Sequence, residues 1–412
     1  MGKIAFGKTW LLLSSASLLL MACGQNDERV EASSAEESPA TSQTTTANDQ
    51  SKVSKPQDES TTSESENQSS SVSESTTSTD EGSETETDQA SVVDYFPLTT
   101  GYASEFAGTG NEYAGFNRTY DYIEDNNIFM RTNNGGTSVL EVVEVTEDAA
   151  RVVYSQPEYY AHEKMDIGGL VDPEKVETLL EAPIELGHSW ESGTGTTREI
   201  TAIGVPMSTQ QGLYDTIEVT EDTGDFVIKE YYAAGVGLVY TSNNATDPDA
   251  PYTVIQDLAN LSTEGWPEPV SLYYPSGKDD YTRADESMNI TTNDDMAVAF
   301  TSLFQSEGEN YPQLLPDDAE IVSLQTKTNE ETREKTLHIE FSPGITALAD
   351  DELGMQKFNS MMATLKGYYN ADYLEPRVEG QPIEIEGLVR LNEANPLFEV
   401  PEGVMAQGPV QE

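Results

Sequence analysis

The chain of 412 residues carries 74 Asp and Glu against 21 Lys and Arg, a formal net charge of −53, with a single cysteine. Such a chain has no basic stripe for phosphate contacts, which excludes nucleic acid as a partner, and anionic lipid head groups and wall polymers repel its body. One thiol excludes a disulfide framework and cysteine-rich zinc clusters, so the fold must rest on core burial.

Lys3 and Lys8 flank the start of an apolar run from Trp10 to Met21, interrupted only by Ser14, Ser15 and Ser17, and Ala22 places a small residue before Cys23. This is the layout of a signal peptide over residues 1–22, too short for a membrane span of about 20 apolar residues. Leu20-Met21-Ala22-Cys23 resembles the lipobox of bacterial lipoproteins. The resemblance implies cleavage between Ala22 and Cys23 and lipid on the Cys23 sulfur, whose thiolate accepts a diacylglyceryl group. Two or more acyl chains anchor stably, at about 0.8 kcal/mol per buried methylene. The expected location is the extracellular face of the cell membrane, held by lipid. The plainer reading is an ordinary buried cysteine in a leader helix.

From Gly24 to about Ser91 the chain is mostly Ser, Thr, Glu, Asp, Gln, Asn and Ala, with no aromatic residue and no Leu, Ile or Met. It cannot bury enough apolar surface to offset the entropy of ordering, so residues 23–91 are expected to form an acidic disordered tether. A glycosylated Ser/Thr stalk is compatible with the same composition.

Aromatics first appear in "VVDYFPLTTGY", and strand-like runs follow. Phe116 to Ile123, Ile128 to Arg131 and Thr137 to Thr146 are separated by Asn126-Asn127 and by the "NNGG" turn at Asn133 to Gly136. Further runs are "DAARVVYSQP", "TREITAIGVP", "LYDTIEVTED", "DFVIKEYYAAGVGLVYTSN", bent at Ala234-Gly235, and "YTVIQDLANL". One helix is expected at "DPEKVETLL", with Asp172 as N-cap and Pro173 at the first helical position. Residues 92–262 thus read as one mainly-β antiparallel domain, a meander curled around a single-sided core. Its end phrases, Tyr95 to Gly101 ("YFPLTTG") and Tyr231 to Val239 ("YYAAGVGLV"), resemble a domain recurrent in lipoproteins of Gram-positive bacteria, which carries no agreed activity.

After "STEGWPEPV" strands and helices alternate. "VSLYYP" (Val270 to Pro275) reads as a strand, Asn293 to Gln305 as a helix, "AEIVSLQTKT" and "KTLHIEFS" as two strands, Asp351 to Tyr369 as a helix with Phe358, Met361, Met362, Leu365 and Tyr369 on one face, and "PIEIEGLV" as a last strand. The order is β-α-β-β-α-β, an α+β domain over 270–400. "VSLYYP", "LLPDDAEIVSL" (Leu314 to Leu324), "LHIEFSPGI" (Leu337 to Ile345) and "MATLKGYYNADYLEPRVEGQPIE" (Met362 to Glu384) resemble, in order and spacing, the GerMN domain of sporulation and germination proteins. "GYYNADYLEP" departs from that pattern. The resemblance implies an accessory role in the cell envelope, by binding or assembly.

No catalytic constellation is legible. His162, His188 and His338 fall in different neighbourhoods, no G-x-S-x-G elbow occurs, and the glycine-rich stretches lack a Walker lysine. Asp247 with Asp249, and Asp279-Asp280 with Asp285, lack the ligand order of a calcium loop and read as solvated. The expectation is therefore no enzyme, no cofactor and no metal. It is a non-catalytic envelope module whose partner is another envelope protein or a cell-wall component. The alternative is a binder of wall glycan, or of a small apolar ligand held in the β domain. The anchor has a direct test: Cys23→Ala should leave the protein unprocessed or shed, and unchanged partitioning of this variant into the detergent phase contradicts lipidation.

Overall fold

The structure, a computed structural model, describes residues 90–111, 114–193, 195–277, 280–308 and 311–406, which belong to one compact unit. Cys23, its cleavage site at Ala22 and the segment 23–89 lie outside the described residues.

A short helix α1 (Val92–Tyr95) opens the first region. Six strands follow: β1 (Ala103–Gly110), β2 (Phe116–Glu124), β3 (Asn127–Asn133), β4 (Ser138–Val145), β5 (Ala149–Pro157) and β6 (Glu177–Glu181). Then come β7 (Ser189–Glu191), β8 (Thr197–Ser208), β9 (Leu213–Asp222), β10 (Phe226–Ala233), β11 (Gly237–Ala245) and β12 (Thr253–Ser262). They form one antiparallel sheet in the order β6-β5-β4-β3-β2-β1-β12-β11-β10-β9-β8-β7. Each half is a meander, and the β1–β12 pair, Ala103 opposite Ser262, joins them. The two end strands come back together: the Thr178 amide donates to the Ser192 carbonyl at 3.1 Å and the Trp190 indole to the Thr178 carbonyl at 3.0 Å. The sheet is thus a nearly closed barrel.

The expected helix at 172–180 is instead a strand. Asp172 does cap a turn, but of a 3₁₀ helix confined to Pro173–Lys175, and Val176 is already extended. Beyond it β6 pairs with β5, Leu180 opposite Ala150, and Glu177 meets Arg198 at 3.1 Å. Sheet pairing and a buried hydrogen bond from Arg198 override the local helical preference.

Inside the barrel Phe106, Ile128, Leu180, Ile200, Ile217 and Leu258 are almost fully buried, each contributing about 1.5–3 kcal/mol. Among them sits a polar knot. The Arg198 guanidinium bonds Glu221 at 3.0 Å, Glu230 at 3.1 Å and Glu177 at 3.1 Å, and Tyr232 donates to Glu230 at 2.7 Å. Glu141 of β4 is buried nearby.

The second region begins with a long two-stranded ribbon, β13 (Trp266–Gly277) and β14 (Asp280–Ile290). Helix α2 (Met296–Gln305) follows, capped by Asp295, whose carboxylate accepts the Ala297 amide at 2.8 Å. The antiparallel pair β15 (Ile321–Thr328) and β16 (Lys335–Phe341) comes next. A 3₁₀ turn (Pro343–Asp350) leads into α3 (Gly354–Tyr369), which ends at Asn370 in the left-handed conformation. The chain then returns as β17 (Tyr373–Val378), parallel to β16, and β18 (Gln381–Pro382). Phe300, Phe304, Leu337, Phe341, Phe358, Met362 and Leu365 fill the core between α2, α3 and the sheets.

Two strands differ from expectation. β14 is additional, because only its Met288 and Ile290 are buried and a mostly polar edge strand leaves no apolar period. The last long strand is Tyr373–Val378, which begins inside the departing phrase "GYYNADYLEP" and runs past it, with Pro376 weakening its strand signal. "PIEIEGLV" supplies only two-residue strands, including Glu384–Ile385.

The polar knot makes stability depend on pH. Burial pushes the Glu141 carboxyl up to about 7, and burial outweighs Arg198 to push Glu177 up to about 8, both from 4.5. The folded state therefore holds protons that the unfolded chain releases, so this stabilisation is complete below about pH 4.5 and is lost as pH rises through 7 and 8. The melting temperature should fall across that window. Glu141→Gln should flatten the slope, and a level profile in the wild type contradicts the assignment.

Candidate functional site

Two contacts join the barrel to the second region, and both start from a local irregularity in β2. Tyr120 pairs with Met130 but Tyr122 pairs with Phe129, so Asp121 is the extra residue of a bulge. A bulge re-aims a side chain. Here Asp121 meets Arg131 of β3, its Oδ2 accepting from Arg131 Nε at 2.7 Å, and it also accepts from Thr119 Oγ1 at 2.6 Å. The same guanidinium reaches into the second region, donating to both carboxylate oxygens of Glu268 on β13, from Nη1 at 3.0 Å and from Nη2 at 2.8 Å. The Trp266 indole and the Tyr368 hydroxyl also donate to Glu268, at 3.1 and 2.9 Å.

All three charged side chains are at most 10% exposed. Burial alone would raise Asp121, but Arg131 and His162 outweigh it and hold the carboxyl below its usual range. Burial opposes the guanidinium's charge too, yet Asp121 and Glu268 keep it firmly protonated.

Beside this bridge the loop after β14 docks on β2. The bulge carbonyl of Asp121 accepts the Asn293 amide at 2.9 Å, while the Asn293 side chain pairs with the Ile123 amide at 3.0 Å and its carbonyl at 3.2 Å. Thr292 Oγ1 accepts the Gly101 amide at 2.8 Å and donates to the Tyr120 carbonyl at 2.7 Å. Gly101 has φ of +71°, and a Cβ there would lie 2.5 Å from the Thr263 carbonyl oxygen, so the close approach needs glycine.

The loop between β5 and β6 completes the junction. Tyr159, Met165 and Ile167 cover the outer barrel face at Tyr122, Phe129, Leu140 and Val142, while Ala161 enters the core of the second region. The result is an open groove of about 860 Å³, walled by the ends of β2 and β3, by residues 162–167, by 293–297 at the start of α2, and by Leu324, Gln325 and Thr326 of β15. Half-buried Met165, Ile167 and Leu324 form its accessible apolar lining over the buried Tyr122, Phe129, Met296 and Tyr369, with Glu124, Glu163, Asp166, Asp294 and Asp295 around them and Lys164 as the basic residue.

His162 lines this groove fully buried, its ring 4.6 Å from Tyr122 and 5.8 Å from Trp266. Neither ring nitrogen has a hydrogen-bond partner, Nδ1 lying 3.8 Å from Asp121. The other histidines lie apart from it. His188 stacks near Trp190 at 5.7 Å with Glu181 at 3.5 Å, and His338 Nδ1 meets Glu375 at 2.6 Å. Asp247 accepts the Asp249 amide in a local turn, and Asp285 pairs with Arg283 at 3.2 Å. Among the described residues no group of three His, Cys, Asp or Glu is placed to hold a metal ion.

Among the described residues, a cavity inside the barrel bounded by Phe116, Met130, Leu179, Glu230 and Tyr232 measures about 20 Å³, room for about one water molecule. The reading of a small apolar ligand inside the β domain therefore meets a filled core, because Arg198 and its carboxylates occupy the space that a ligand would need.

No family model and no curated protein matches the chain. Three solved structures show partial likeness. The tandem GerMN domains of the sporulation protein GerM from Bacillus subtilis share 17% identity over 34% of this chain and 48% of that one, about half its length, with a TM-score of 0.22. An exported protein with a YmcC-like fold from Bacteroides fragilis shares 12% identity over 41% of this chain and 98% of that one, with a TM-score of 0.23. A lipoprotein from Parabacteroides distasonis shares 15% identity over the same 41% and 98%, with a TM-score of 0.21. At these scores no function passes from them to this chain.

The bulge and its arginine carried no sequence signal, since Arg131 read as one polar residue at the end of a strand. Removing it should be costly: Arg131→Ala leaves Asp121 and Glu268 buried without their cation and should destabilise the protein by about 3–5 kcal/mol in denaturant unfolding. A loss below about 1 kcal/mol, the range of a surface pair, contradicts the bridge.

Proposed function

We propose that this chain is a lipid-anchored, non-catalytic binding protein on the extracellular face of a Gram-positive cell membrane, and that its GerMN-like second region and the barrel together engage another envelope protein. The observation that carries this reading is the groove at their junction, whose walls come from both regions. Its carboxylates support binding rather than chemistry, because several already serve the fold. Asp295 caps α2, Asp294 accepts the Thr291 amide at 2.8 Å, Glu163 bonds Thr326 and Glu124 pairs with Lys164.

Anchoring rests on the lipobox-like Leu20 to Cys23, and no helix among the described residues is long and apolar enough to cross a membrane. Photo-crosslinking in intact cells of the native host tests the reading. A photoreactive residue at Asn127 or Met165 in the groove should give one shared adduct with an envelope protein, and one at Leu213, exposed on β9, should not. Adducts from Leu213 alone, or none from the groove, contradict it.

A further inference from the structure

We infer that the groove takes an extended, basic segment of a partner protein, laid along the open edge of β15 with alternate side chains on the apolar floor. This rests on the groove being the binding site and names what fills it.

Three features of the groove converge. The first is charge: five carboxylates, Glu124, Glu163, Asp166, Asp294 and Asp295, surround it against Lys164, and Lys164 is itself paired with Glu124. A low-dielectric cleft lined by one sign of charge focuses the field on ligands of the other sign. The second is the floor, where the half-buried Met165, Ile167 and Leu324 offer apolar surface that a hydrated inorganic cation would not use.

The third is the wall. β15 ends the second region's four-stranded sheet and pairs only with β16, and its Leu324, Gln325 and Thr326 line the groove. An unpaired edge presents a row of amides and carbonyls that an added strand satisfies, and the two-residue repeat of that strand sends every other side chain to the floor.

These features also discriminate between ligand classes. A neutral glycan gains no charge attraction from the carboxylate ring, and the described residues hold no three-ligand cluster for a metal ion. A basic strand uses the charge, the floor and the edge together.

The test uses the soluble full chain after Ala22 and a fluorescent, end-blocked peptide alternating Lys and Val, with a Glu-for-Lys peptide and a backbone N-methylated peptide as controls. The Lys peptide should bind, weaken as salt rises, and lose at least about tenfold in affinity on N-methylation or against the double variant Asp166→Lys/Gln325→Lys, whose two sites are exposed. The Glu peptide should not bind. Equal binding of the Lys and Glu peptides, unchanged affinity in the double variant, or no binding of the Lys peptide overturns the inference. If groove crosslinks on cells persist in that case, the ligand class is wrong and the groove still binds; if they are absent too, both readings fall.

Discussion

One buried guanidinium ties the two regions together. Arg131 is held by Asp121 on its own barrel and by Glu268 on the first strand of the second region. Taking three charges out of water costs several kcal/mol per ion, so the arrangement survives only because nearly every lone pair is met: Thr119 on Asp121, and Trp266 and Tyr368 on Glu268. Replacing the set with apolar residues would bury surface without fixing an orientation. The ionic set has direction, because a planar guanidinium engaging both oxygens of Glu268 accepts few relative placements of β3 and β13.

That placement creates the groove. With β13 docked on the outer barrel face, residues 291–295 run along β2 and bring the N-terminus of α2 beside Tyr122, while the loop between β5 and β6 closes from the other side. The barrel thus contributes its outer surface, not its interior, to the groove. Its interior is occupied by Arg198 and four acidic neighbours, two of which are raised toward neutrality by burial. A filled barrel is a stiff wall for the groove, which answers why so many strands enclose so little space.

Much of this was legible in the sequence. The hairpins at Asn133 to Gly136 and at Ala234-Gly235 follow from turn chemistry, and the long helix α3 follows from the spacing of Phe358, Met361, Met362 and Leu365. What was not legible depended on partners distant in sequence. Residues 177–181 are a strand because β5 and Arg198 claim them, although "DPEKVETLL" begins as a helix should. The bulge at Asp121 leaves no periodic trace, and Arg131 meets Glu268 across 137 residues. His162 illustrates the limit most plainly. The sequence shows a lone histidine, and only the fold buries it between Tyr122 and Trp266 without a partner for its nitrogens.

If the Arg131 bridge makes the barrel and the second region one cooperative structure, they must unfold together. Differential scanning calorimetry of the chain from residue 88 onward measures this directly, by comparing the calorimetric enthalpy with the van't Hoff enthalpy. The account predicts one transition in which the two enthalpies agree. Two separated transitions, each with its own agreement, would show that the regions fold independently and that the groove between them is not held by the bridge.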